Sequence, residues 1–113
     1  MNNEFKTNWT ISELLRFLRA NPQGFKVYKG EKQLDANSDY IFIDLTGYSA
    51  IAFDDGGINK ADLIINIYTQ DFKKRQEVVK YINTRLFGSV MLRRDEEYYV
   101  ATLERSLFLD ETK

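Results

Sequence analysis

Residues 61–88, ADLIINIYTQDFKKRQEVVKYINTRLFG, read as a strand feeding directly into an amphipathic helix. In the first nine of them Leu63, Ile65 and Ile67 fall on one alternation face and Ile64 and Tyr68 on the other, as in a central strand. Gln70 and Asp71 break the run. Asp71 suits a helix N-cap, because its carboxylate can accept from the free amides of the first turn. Beyond it Val78, Val79, Ile82 and Leu86, with the aliphatic stem of Arg75, recur at spacings of three and four, one stripe of a 3.6-residue period. Gly88 is expected to supply a left-handed C-terminal stop.

The flanking chain extends this unit. Thr10-Ile11-Ser12-Glu13 has the form of a capping box, with Trp9 and Leu14 placed for a hydrophobic staple. The helix it starts buries Ile11, Leu14, Leu15 and Leu18, turns Arg16 and Arg19 to water and ends at Asn21-Pro22. A short strand is expected over 24–28, and a second over 40–46 with Ile41, Ile43 and Leu45 against a mixed face of Tyr40, Phe42 and Asp44. Gly47 marks a bulge or bend in a long hairpin arm that continues through 48–53 and turns at 54–59. After the second helix, 90–94 and 98–109 form a closing hairpin with Asp95-Glu96-Glu97 at its tip. The fold class is α+β, a two-layer sandwich with one mostly antiparallel sheet of about five strands and two helices on one face, in the order α-β-β-β-α-β-β. The 113 residues make a single domain, 1–113, with 1–8 and 110–113 as flexible ends.

Composition narrows the chemistry. The absence of cysteine excludes disulfides, thiolate metal sites and thiol nucleophiles, and the absence of histidine removes the commonest general base and transition-metal ligand. No catalytic residue, metal or cofactor is expected. The net charge of −1 gives the whole molecule no field toward nucleic acid or an anionic membrane. No apolar leader opens the chain and no stretch is long enough to span a bilayer, so a cytosolic, soluble protein without a membrane partner is expected. Asn8-Trp9-Thr10 matches a glycosylation sequon by chance on that reading.

Four constellations have both a chemical and a plain structural reading. Asp54-Asp55-Gly56-Gly57-Ile58-Asn59 clusters oxygen ligands but lacks the alternate spacing of a calcium loop, and reads better as a hairpin tip. Lys73, Lys74, Arg75, Lys80, Arg85, Arg93 and Arg94 stand against Glu77, a basic face suited to phosphates or, more plainly, a solvated surface balanced by Asp95, Glu96, Glu97 and Glu104. Tyr98 and Tyr99 with Arg93 and Arg94 have the composition of a base-stacking site or, more plainly, of aromatic cross-strand pairs that stabilise a hairpin. Lys60 with Asp62 and Glu104 with Arg105 are the available acid–base pairs, and neither has a nucleophile or phosphate loop beside it.

Ile-Ser-Glu-Leu-Leu at 11–15, Tyr-Ile-Phe-Ile-Asp-Leu at 40–45 and the hairpin into Asp-Leu-Ile-Ile-Asn-Ile-Tyr-Thr at 62–69, followed by a helix and a closing hairpin, resemble the tail terminator proteins of long-tailed bacteriophages, also called tail completion or minor capsid proteins. The resemblance covers nearly the whole chain. It implies a non-enzymatic phage or prophage subunit without cofactor. Such a subunit forms a hexameric ring on the tail tube protein, ends tube polymerisation and gives the head-tail connector protein a docking surface. Its place would be the head-proximal end of the virion tail, assembled in the bacterial host cytoplasm, with DNA only as lumen content. Under that reading the apolar arms and opposed charges make Tyr48, Ile51, Phe53, Asp54 and Asp55, with Arg93, Arg94, Glu96 and Glu97, the expected subunit and ring interface. Lys73, Lys74, Lys80 and Arg85 form the basic face. The competing readings are a head-tail adaptor or head completion protein, and a small nucleic-acid-binding regulatory domain.

Overall fold

The computed structural model describes residues 8–30, 39–50 and 58–110. In chain order the elements are β1 (Asn8–Trp9), α1 (Ile11–Arg19), β2 (Lys26–Lys29), β3 (Tyr40–Ala50), β4 (Ile58–Thr69), α2 (Phe72–Asn83), β5 (Val90–Asp95) and β6 (Tyr98–Asp110). The five expected strands and two helices are present in the expected order, joined by the two-residue β1. Their sheet runs β1-β6-β4-β3-β2, with β5 also on β6. β4 is interior, as its sequence requires, paired antiparallel with β3 on one side and β6 on the other. Two pairings are parallel, β2 with β3 and β1 with β6. Asn8 and Asp110, assigned above to flexible ends, are therefore strand-paired, to Phe108 and Ile58.

Alternation decides the layers. Ile41 and Ile43 of β3, Leu63, Ile65 and Ile67 of β4, and Ala101, Leu103, Leu107 and Leu109 of β6 lie on one face in a buried cluster with Leu14 and Leu18 of α1 and Val78 and Ile82 of α2. The other face carries a run of rings, Tyr28, Tyr40, Phe42, Tyr68 and Tyr98, whose neighbouring centroids are 5.6–6.1 Å apart. Tyr40 and Phe42 are buried in that run. The mixed face read from 40–44 is thus an aromatic ribbon crossing the sheet, with Asp44 exposed beyond it.

Local chemistry sets the helix ends. Thr10 accepts from the Glu13 amide at 3.0 Å while the Glu13 carboxylate accepts from the Thr10 amide at 2.9 Å, completing the capping box of α1. Asp71 caps α2 by accepting from the Lys73 and Lys74 amides. α1 leads into β2 through buried Asn21, whose amide donates to the Leu18 and Phe25 carbonyls and whose oxygen accepts from the Phe25 amide at 2.7 Å. That is the clamp behind the expected break at Asn21-Pro22.

Of two backbone expectations, the bulge in β3 holds and the stop of α2 changes. β3 does run past Gly47, and its register on β4 slips by one residue between Thr46 and Ser49, a bulge at Gly47-Tyr48. α2, however, ends at Asn83, with Thr84 as a right-handed C-cap, so Gly88 is not its left-handed stop. Gly88 is required for a different reason. A Cβ there would stand 2.8 Å from Nη1 of Arg105, whose guanidinium passes directly over it.

The closing hairpin is tighter than expected, because Asp95 pairs with Tyr98 and only Glu96 and Glu97 form the turn. Glu96 has φ +53°, a left-handed conformation costly for a residue with a Cβ. Glu96→Gly is expected to stabilise the fold by about 0.5–1 kcal/mol, read as a higher urea midpoint at unchanged slope.

The helices are tied to each other as well as to the sheet. Phe17 and Tyr81 stack with centroids 4.8 Å apart, and the Tyr81 hydroxyl donates to the Phe17 carbonyl at 2.6 Å. Burial raises the Tyr81 phenol above its ordinary value of 10.0, and nearby Arg85 opposes the shift. The folded state therefore holds this proton more tightly than the unfolded chain does. The contribution is fully present below the ordinary phenol value and is lost as pH rises through the raised folded one. Tyr81→Phe should cost about 1 kcal/mol near neutrality. In urea titrations just below and well above pH 10 the variant should also lose less stability than the parent chain.

Candidate functional site

The expected interface residues fall into three groups. Ile51, Phe53, Asp54 and Asp55 lie outside the described residues, and so does most of the 54–59 oxygen cluster. Tyr48 sits in the β3 bulge. Arg93, Arg94, Glu96 and Glu97 are all exposed on β5 and its turn. Among the described residues no three histidine, cysteine, aspartate or glutamate side chains converge as a metal site. No helix among them is long and apolar enough to cross a membrane.

The basic face separates into parts. Lys73, Lys80 and Arg85 are exposed on or just after α2. Lys74 instead pairs with Asp39 at 3.1 Å, in a network where the Thr69 hydroxyl donates to Asp39 and accepts from the Asp71 amide. Arg75 is buried under the helix. Its Nη1 donates to the carbonyls of Arg93 and Val100, and its guanidinium carbon lies 5.2 and 5.4 Å from the rings of Phe72 and Tyr99. Arg93 projects from the opposite side of the sheet, donating to Thr102 Oγ1, which in turn donates to Asn66. Arg94 returns to the helix side, 4.8 Å from the Tyr99 ring. A sheet thus stands between Arg93 and the α2 cations.

The same alternation separates the two tyrosines. Tyr98 joins the aromatic ribbon through Tyr68, whereas Tyr99 packs on Phe72 of α2 at 5.5 Å. They do not form a common stacking platform. Of the acid–base pairs, Glu104 is exposed on the ribbon side and Arg105 is buried on the helix side, while Asp62 accepts from the Ser106 hydroxyl at 3.0 Å. Arg105 donates through Nε to Leu86 O, through Nη1 to Ser89 O and Glu104 O, and through Nη2 to Asn83 Oδ1. Its burial lowers the guanidinium pKa from the ordinary value. This is a clamp holding the α2–β5 connection against β6, its donors spent on structure.

What remains is a surface that the sequence reading passed over. Met91 and Leu92 of β5 are 62% and 53% exposed, and Phe72 and Phe87 are also largely open. Among the described residues β5 pairs only with β6, so its outer edge is unpaired. Beside that edge runs a groove of about 280 Å³, walled by Arg75, Val79, Lys80 and Asn83 of α2 and by Val90 and Leu92 of β5. The buried Nε of Arg75 has no hydrogen-bond partner among the described residues. An unalternating triplet, Val90-Met91-Leu92, was the available signal, since half of a hairpin edge facing water ordinarily carries polar residues. No protein-family model matches the chain, and no curated protein matches it.

Proposed function

We propose that the chain is a structural subunit of a phage tail, a tail terminator that closes into a ring on the last tier of tube subunits. In that role it ends tube growth and offers the head-side connector a surface. The reading rests on the sequence resemblance and draws its main physical support from one observation, the apolar outer edge of β5, unpaired among the described residues, beside an open groove. An edge of this kind aggregates unless a partner covers it. Ala50 and Ile58, the described ends of β3 and β4, lie at the other end of the long strands from β5, so the sheet has two separate ends at which contacts could form. Head-to-tail closure into a ring needs such a pair.

The nucleic-acid reading draws less support. Its cations are divided between the two sides of the sheet, and Lys74 and Arg75 are already engaged. On the ring reading DNA is lumen content only, and the subunit works in the virion tail without catalysis or cofactor.

Native mass spectrometry across a range of concentrations and salt tests this. A hexamer, or a monomer that converts to one with rising concentration, is the expected result. A strict monomer that is retained on DNA with a steep loss of affinity in salt overturns it.

A further inference from the structure

The two longer outer edges of the sheet are unequal. β2 carries exposed Lys26 and Lys29, the charged guard that keeps an edge strand from pairing. The outer edge of β5, unpaired among the described residues, has no such guard along Val90-Met91-Leu92 and turns basic only at Arg93 and Arg94. Pairing with β6 fixes the side each residue takes. Val90, Leu92 and Arg94 stand opposite Leu103, Ala101 and Tyr99 on the helix side, beside the groove, while Met91 and Arg93 stand opposite Thr102 and Val100 on the ribbon side.

The groove selects the kind of occupant. Its volume of about 280 Å³ falls short of the ~300–1,000 Å³ of small-molecule pockets. It lies along an open row of backbone amides and carbonyls, so it suits side chains projecting from an added strand. Its charge is of one sign. Arg75 and Lys80 stand in its wall, and among the described residues Lys80, Arg93 and Arg94 pair with no carboxylate. Arg75 is 6% exposed, and its Nε lacks an acceptor among the described residues. An occupant that offers carboxylate and carbonyl oxygens beside its apolar side chains answers both needs. A second copy does not supply them from its own longer edges. Its β2 would set lysines against these arginines. Its β5, laid antiparallel with Val90 against Leu92, would set Arg93 against Ser89 and Arg94 against Gly88.

We infer that the outer edge of β5 takes up an extended segment of a different protein as an added strand, apolar where it faces Val90, Met91 and Leu92 and acidic where it faces Arg93 and Arg94. A large apolar side chain of that segment, in phase with Val90 and Leu92, enters the groove against Val79, and its carboxylates meet Arg93, Arg94 and Lys80. A ring subunit needs this edge covered and so does a lone chain, so the contact goes beyond the ring and is tested apart from it.

Two short synthetic peptides serve as probes, each a valine-leucine-valine core next to a pair of aspartates, N-terminal in one and C-terminal in the other; the controls carry lysines in place of the aspartates. At least one aspartate peptide should slow hydrogen exchange at least tenfold at the alternate amides of residues 90–94 that face away from β6, and the lysine peptides should not. N-methylating alternate peptide amides should abolish the effect in one phase and spare it in the other, as only an added strand requires. Arg93→Glu with Arg94→Glu should weaken the aspartate peptide at least tenfold and admit the matching lysine peptide, which also shows that the variant is folded. Native mass spectrometry of the same mixtures separates this contact from the ring. Protection in a chain that never exceeds a monomer supports the contact and overturns the ring. A multimer that falls apart as the peptide binds gives the edge to the neighbouring copy, which overturns the contact and leaves the ring. No protection by either aspartate peptide, or equal protection by the lysine peptides, overturns the contact whatever the oligomeric state.

Discussion

Arg105→Ala is expected to remove about 3–5 kcal/mol of folding stability, a large share of the roughly 5–15 kcal/mol available to a domain of this size. The guanidinium is buried and donates to Leu86 O, Ser89 O, Glu104 O and Asn83 Oδ1, so deleting it orphans several acceptors at once. Arg105→Lys should recover little, because one ammonium cannot reproduce a planar fork spread over four acceptors. Gly88→Ala probes the same clamp from the other side. Its Cβ would meet Nη1 at 2.8 Å and Cζ at 3.0 Å, and the four hydrogen bonds leave the guanidinium nowhere to retreat. A cost of about 2 kcal/mol is expected in the parent chain. With Arg105→Ala already present the clash is gone, and Gly88→Ala should be near neutral. Urea unfolding of the four chains gives the coupling, expected to exceed about 1 kcal/mol; additivity would show that the clamp does not act as a unit.

Ile65→Ala is the second large effect, about 3–4 kcal/mol by the same assay, against about 1 kcal/mol for Ile64→Ala. The two residues are chain neighbours of identical chemistry. Ile65 is fully buried in the core shared by the sheet and both helices, whereas Ile64, on the other face, is only partly covered. The difference between the variants measures how one-sided the sheet is. Equal costs would mean that the ribbon side is as well packed at this point as the helix side.

These two variants also mark what could be read from residue order. The strand and helix in 61–83, the capping box at Thr10 and the bulge at Gly47 each follow from a local pattern acting over a few residues, and each is found where the pattern puts it. Strand order and the two parallel pairings are set by contacts between segments up to a hundred residues apart, and alternation carries no information about them. Gly88 shows the limit from another side. A glycine after an amphipathic run suggests a helix stop, but what demands it is a guanidinium arriving from β6. Arg105 itself was legible in principle, since its phase in β6 matches that of Leu103 and Leu107, which assigns a cation to the core face. For the candidate interface, the opposed charges were visible in sequence, while the groove beside β5 exists only because α2 crosses it in space.

The position of β6 bears on how the chain reaches its fold. It is the last strand in chain order, yet it lies inside the sheet, holding β4 along one edge and β5 and β1 along the other. While the ribosome is still adding residues 98–110, the nascent chain displays β4 with an open edge and the bare side chains of Leu63, Ile65 and Ile67. Stable folding therefore waits for the end of translation of this domain, and a prematurely terminated product keeps only the β2–β3–β4 pairings, with one edge of β4 left open. Truncated copies, with the edge of β4 exposed, are thereby sent toward aggregation or proteolysis.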